Sequence, residues 1–146
     1  MLPNKLTDSL LGDVVLTDCL SEKHAEYAAE VDLPDGKMSV VIYSNENTGD
    51  IASSIAHARS IVEDFARHNG TVQAFLENDF LPAFCENTGD AVSLNDLIRE
   101  LQLHDVIVHS DGKFTVSYDA CETLHDHCLV LYFSDTGTIV HFDTPG

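Results

Sequence analysis

Four residues near the C-terminus carry the chemical groups that metal binding or thiol catalysis would need: Cys121, His125, His127 and Cys128. His125 and His127 are two residues apart, so on a strand their side chains point to the same face. A zinc site needs three or four converging ligands, and two neighbouring histidines do not make one. Cys128 points away from His127, so this pair cannot share a proton directly. A metal-dependent or thiol enzyme using His125, His127 and Cys121 is therefore an alternative and not the leading interpretation.

The sequence contains no other pattern that would carry catalysis. It has no Gly-x-Ser-x-Gly nucleophile motif, no phosphate-binding loop and no dinucleotide-binding fingerprint. The segment Glu-Asn-Thr-Gly-Asp occurs at residues 46–50 and again at 86–90, but neither copy has the alternating carboxylates and closing glutamate of a calcium loop. We therefore expect no catalytic residue, no bound metal and no cofactor.

The charge of the chain is strongly one-sided, because 25 acidic residues against 7 basic ones give a formal net charge of −18. The basic residues are scattered and form no stripe that would bind nucleic acid. Such a charge repels nucleic acid and anionic membranes and attracts cationic partners, with association rates that fall as salt rises. The composition therefore favours a basic protein partner over nucleic acid or a membrane, although excess carboxylates can also serve solubility alone.

Length and composition are typical of one globular domain, with 146 residues of which 44% are hydrophobic and 22% charged. We expect residues 1–146 to form this single domain and residues 1–10 to be a flexible arm. Neither a secretion signal nor an apolar run long enough to cross a membrane is visible. The four cysteines lack Cys-x-x-Cys spacing and are typical of reduced thiols. The sequence therefore predicts a cytoplasmic protein.

The C-terminal part predicts a four-strand antiparallel meander at residues 103–109, 114–118, 127–133 and 138–142. Asp111-Gly112 suits a two-residue hairpin loop, because both central residues of such a loop must tolerate positive φ. That loop length would set Ile107 opposite Val116 and Asp105 opposite Tyr118. The last two strands, across Thr136-Gly137, would bring Leu131 opposite Phe142.

The N-terminal part predicts a short strand at residues 12–16 and a hairpin of strands 27–33 and 37–43 around Pro34-Asp35-Gly36. A helical block follows. Its helices are expected to run from a cap at Asp50 to Asn69-Gly70, from Thr71 with a break at Pro82, and after Ser93. The predicted fold class is therefore α+β: an antiparallel sheet, formed by the N-terminal hairpin and the C-terminal meander, with two to three central helices packed on one face.

The two faces of the predicted meander differ. One carries Leu129, Leu131 and Phe133 and is core, whereas the other, with Tyr132 and His141, is too apolar to be freely solvated. Either the N-terminal hairpin covers the second face, or a partner does.

With these elements placed, the chain resembles a family of small acidic bacterial proteins known only as a domain of unknown function. Its members are often proposed to be immunity proteins of polymorphic toxin systems. The similarity spans residues 11–146 and rests on Asp111-Gly112-Lys113-Phe114, on Tyr118, on His127-Cys128-Leu129-Val130 and on Gly137-Thr138-Ile139. Before the third strand of the meander the family has an aromatic-Gly-His run, of which this chain keeps only His127. The resemblance implies an α+β fold and a neutralising role.

The leading hypothesis is a non-enzymatic acidic protein that binds a basic partner, such as a toxin, and covers its active surface. Carboxylates would steer the partner and a few aromatic side chains would anchor it. Our candidates for an exposed binding patch on the sheet are Asp105, Tyr118, Tyr132 and His141. Besides the enzyme alternative, a structural homodimer joined through the sheet remains open.

Overall fold

The computed structural model describes residues 3–21, 24–33 and 36–146. Its centre is one eight-stranded sheet in which each strand lies beside its neighbours in the sequence. All pairs are antiparallel except β4 and β5, which are parallel. The strands are β1 Lys5–Asp8, β2 Gly12–Ser21, β3 His24–Leu33, β4 Gly36–Tyr43, β5 Leu103–Val108, β6 Phe114–Cys121, β7 His127–Phe133 and β8 Ile139–Asp143.

The α-helices lie between β4 and β5 in the sequence, where a parallel pair needs a long crossover connection. They are α1 Ala52–Glu63, α2 Phe65–Phe75, α3 Leu81–Thr88 and α4 Leu94–Glu100, with a π-helical turn Leu76–Phe80 between α2 and α3. The predicted α+β class is confirmed. The sheet is larger than predicted, because the N-terminal strands and the C-terminal meander join through β4 and β5 into one layer.

The N-terminal segment differs from the flexible arm expected at residues 1–10. Lys5–Asp8 forms the edge strand β1, which pairs with β2 from Lys5 opposite Val15 to Asp8 opposite Gly12. The Asp8 carboxylate holds the following turn by accepting hydrogen bonds from the backbone N–H groups of Leu10 and Leu11, both at 2.9 Å. The predicted turn at Pro34-Asp35 lies outside the described residues.

The helical block follows the sequence signals at Pro82 and Ser93, but the helix start predicted at Thr71 is wrong, because Thr71 lies inside α2. Ser93 caps α4, since its hydroxyl accepts the Asp96 N–H at 3.1 Å, and Pro82 stands in the first turn of α3. The end predicted at Asn69-Gly70 is wrong, because α2 continues through Gly70. The same helix buries residues before and after this glycine, and that packing outweighs its low helix propensity.

Buried residues of the helices and of the strands form one hydrophobic cluster. Side chains alternate along the strands, so that one face of the sheet takes the buried residues and the opposite face takes their neighbours. The largest fully buried side chains are Tyr27, Phe133, Leu11, Met38, Ile42, Leu76, Leu97, Leu124, Leu129 and Leu131. We call this side of the sheet the covered face.

A histidine of α2 is buried in this core. His68 on α2 is 5% exposed, and its ring packs against Phe114 at 4.9 Å and Phe133 at 5.8 Å between ring centroids. Burial, and secondly the nearby Arg67 guanidinium, lower the pKa of His68 below its usual 6.5. The histidine is therefore neutral in the folded protein at pH 7.

This burial predicts an acid-sensitive fold. The unfolded chain takes up a proton at His68 more readily than the folded one, so stability falls as pH drops from about 6.5 towards the lower folded pKa. We expect His68→Leu to flatten the decline of Tm between pH 7 and pH 5, measured by thermal unfolding. Substitution of the exposed His24 by leucine serves as the control and should leave the slope as it is. Equal slopes in the wild type and the His68 variant would contradict this account.

Candidate functional site

The hairpin between β5 and β6 sets which side chains share a face, and its loop is one residue longer than predicted. The His109 N–H donates to the Lys113 carbonyl at 3.0 Å, and the Gly112 N–H donates to the His109 carbonyl at 3.2 Å. Gly112 has φ 91°, the left-handed conformation that closes such a three-residue loop. Consequently Asp105 pairs with Ser117 and not with Tyr118. The predicted register is wrong, and a shift of one residue moves each side chain to the other face.

This register places Tyr118 on the covered face. Its side chain is only 8% exposed, and burial raises the pKa of its hydroxyl to about 12. Tyr118 cannot therefore belong to an exposed patch, and its selection as a surface residue is wrong. The physical reason is the extra loop residue, which separates it from Asp105 on the opposite face.

The opposite face carries a continuous line of residues that we call the central row. One residue from each strand takes part, and each is the register partner of the next. The members are Lys5, Val15, Ala28, Val41, Ile107, Thr115, Tyr132 and His141. Most are apolar, and the Tyr132 ring packs on the His141 ring with centroids 5.3 Å apart. Val15 is 42% and Tyr132 37% exposed.

A second line runs parallel to the central row and carries charge; we call it the acidic row. Its members are successive register partners on β3 to β8: Glu30, Ser39, Asp105, Ser117, Val130 and Asp143. The Ser117 hydroxyl donates a hydrogen bond to the half-buried Asp105 carboxylate, whereas Glu30 and Asp143 are exposed. From β3 to β8 the central row is thus bordered on one side by a row that carries the carboxylates of Glu30, Asp105 and Asp143.

The N-terminal hairpin does not cover this face. β1 to β4 lie in the plane of the sheet and extend it, because β4 pairs edge to edge with β5. Among the described residues, no member of the central row belongs to the hydrophobic cluster that the helices form with the covered face. The expected cover is therefore wrong, and we call this side the uncovered face. Asp105, Tyr132 and His141 all lie on it.

The residues of the enzyme alternative are only partly brought together. Cys121 and His127 are register partners on β6 and β7. His125 lies in the intervening turn, with Nε2 2.7 Å from the Asp90 carboxylate. Burial raises the pKa of the Cys121 thiol, which disfavours the thiolate that catalysis would need. In the described ranges, no three His, Cys, Asp or Glu side chains are grouped so that they could hold a metal ion.

None of the helices in the described part of the chain is long and apolar enough to cross a membrane. The chain matches no protein-family model, and neither a curated protein nor a solved structure is significantly similar to it. The uncovered face is therefore interpreted from its own residues.

Proposed function

We propose that this protein is a non-enzymatic binding protein whose uncovered face binds and neutralises a basic protein. The observation that carries the proposal is the central row, a mostly apolar line across eight strands that the acidic row borders from β3 to β8. An apolar centre with a charged border is the usual composition of a protein-binding surface. Asp105, Tyr132 and His141 are its proposed contact residues.

The size of the uncovered face suits a stable complex. Strands lie about 4.8 Å apart, so a row that crosses eight strands is roughly 34 Å long. A partner covering such a row could bury about 800 Å² on each side, the area of an ordinary specific interface. Tyr132, whose ring packs against the His141 ring, is the aromatic residue best placed to act as an anchor.

The charge supports a basic partner over a second copy of the chain. With a net charge of −18, two copies meeting through the uncovered face would bring their acidic rows together and repel each other. A cationic surface would instead be attracted, and association would slow as salt rises. We therefore favour neutralisation of a basic toxin in the cytoplasm, the role of an immunity protein, over the homodimer.

The test compares two variants that change the net charge equally on different faces. Glu30→Lys reverses a carboxylate of the acidic row, whereas Glu77→Lys reverses an exposed one in the helical layer. The probe is the product of the reading frame adjacent to this gene, co-expressed with each variant and measured by growth and by binding at low and high salt. We expect Glu30→Lys to weaken binding about tenfold or more and Glu77→Lys to have little effect.

The same assay includes Tyr132→Ala, which removes the aromatic anchor without changing charge. We expect it to weaken binding at both salt concentrations, because the lost contact is apolar. Binding that is absent, or that responds equally to Glu30→Lys and Glu77→Lys, would contradict a role for the uncovered face.

A further inference from the structure

A groove of about 820 Å³ opens at the end of the uncovered face beside the central row. It lies between the ends of β2, β3 and β4 and the loop that joins β5 to β6. Its lining includes the side chains of Asp18, Glu26, Tyr43, His109, Asp111 and Lys113. Glu26 and Tyr43 are register partners two residues along from the central-row pair Ala28 and Val41, so the groove continues the same sheet face.

An aromatic platform forms one wall of the groove. The rings of Tyr43 and His109 are stacked, with centroids 5.5 Å apart and planes 24° from parallel. The Glu26 carboxylate lies beside this platform, positioned by the Thr17 hydroxyl, which donates to its Oε2 at 2.9 Å. Burial and Glu26 both raise the pKa of Tyr43, so its hydroxyl stays protonated and neutral at pH 7.

The net charge of the groove is negative. Asp18, Glu26 and Asp111 line it together with Glu46, and the lysine among its lining residues, Lys113, is 3.8 Å from the Asp111 carboxylate. A flat cation can stack on the aromatic platform and also donate hydrogen bonds to a carboxylate of the groove.

We propose that this groove binds an arginine side chain, carried on a loop of the basic partner, as the anchor at one end of the interface. The inference rests on the proposed function and adds the chemical group that the site recognises. The guanidinium would stack on Tyr43 and His109 and donate two hydrogen bonds to Glu26. The volume exceeds that of one side chain, so the groove also accommodates backbone of the loop.

Arginine fits this arrangement better than lysine. The guanidinium is planar and donates two parallel hydrogen bonds to one carboxylate, whereas an ammonium group is a compact and strongly hydrated charge. The stacked rings would add little to the binding of an ammonium group that keeps its water. The groove should therefore discriminate between the two cations even though its net charge attracts both.

The experiment titrates the full-length protein with three short peptides that differ only in a central arginine, lysine or citrulline, followed by NMR amide shifts. We expect saturable shifts confined to the groove with the arginine peptide, at least threefold weaker binding of the lysine peptide and none of the citrulline peptide. Tyr43→Leu and Glu26→Gln should each weaken arginine binding about tenfold. Glu77→Gln, which removes the same charge from the helical layer, is the matched control and should change it little.

Shifts spread over the whole acidic surface without saturation, or equal binding of the arginine and citrulline peptides, would overturn the inference. Its failure is distinguishable from that of the proposed function. If binding of the basic partner depends on Glu30 and Tyr132 but the peptide does not saturate the groove, the inference alone fails. If the peptide binds the groove but no basic partner binds the uncovered face, the proposed function alone fails.

Discussion

We expect Leu131→Ala to lower the free energy of unfolding by roughly 2–5 kcal/mol, the cost of a cavity in a close-packed core. Leu131 on β7 is fully buried on the covered face, opposite Phe142 on β8. The neighbouring Tyr132 points to the other face, so Tyr132→Ala should cost about 1 kcal/mol or less. Urea unfolding of the two variants measures both values.

This comparison tests the assignment of the two faces, since the residues are adjacent on one strand. A loss of equal size in both variants would mean that the face of Tyr132 is covered as well, and the proposed binding surface would not exist. The expected result is instead a protein that keeps its stability in Tyr132→Ala and loses only its partner. Stability and binding would then be carried by opposite faces of the same sheet.

The second large effect concerns the ion pair between Asp8 and Arg59, which connects the N-terminal turn to α1. The Asp8 carboxylate, 8% exposed, accepts the Leu10 and Leu11 N–H groups and forms an ion pair with Arg59 on α1. The hydrogen bond from Arg59, assisted by those two backbone bonds, lowers the pKa of Asp8 to about 2. In the folded state this carboxylate therefore stays ionised at pH values below its ordinary pKa.

We expect Asp8→Asn to lower the free energy of unfolding at pH 7 by about 2 kcal/mol, because a shift of one pKa unit corresponds to about 1.4 kcal/mol. In the wild type this contribution is present above pH 4 and is lost as pH falls to about 2, where the folded protein also takes up the proton. The difference between wild type and variant should therefore shrink over the same interval in urea unfolding series.

Asp13→Asn is the matched control for this effect. Asp13 pairs with Lys5 at 3.7 Å on the neighbouring strand, but both side chains are largely exposed, so the loss should stay below about 1 kcal/mol. A pH-independent difference for Asp8→Asn would show that its hydrogen bonds alone, and not its charge, hold the turn.

Local signals predicted the elements well where one interaction decided them. The Ser93 cap and the Pro82 boundary depend on the backbone N–H groups within one helical turn, and both are found where expected. The helix end predicted at Gly70 is wrong because that prediction also used a local signal. The packing of buried residues before and after Gly70 stabilises α2 as one helix. The edge strand β1 is not predicted from the sequence, because Lys5–Asp8 is too short to show a clear strand pattern. Its pairing with β2 is what orders it.

The candidate site was partly visible in the sequence. Tyr132 and His141 were placed together correctly, because the pattern of β7 and β8 indicates a paired hairpin. The prediction that Tyr118 is exposed is wrong because the loop at Asp111-Gly112 has three residues and not the predicted two. The groove at Tyr43 and His109 had no sequence signal, since its wall combines residues that are distant along the chain.

The sequence by itself determined the mixed fold class, the large negative charge and the alternation that gives each strand one core-facing side. These properties follow from the composition and from hydrophobic patterns within a few residues, because such patterns are set by interactions between near neighbours in the chain. Only the tertiary structure decided that β4 and β5 pair in parallel, which joins two predicted units into one sheet and leaves its second face uncovered. That choice depends on contacts between distant segments and on loop lengths, and a change of one residue in register exchanges the two faces.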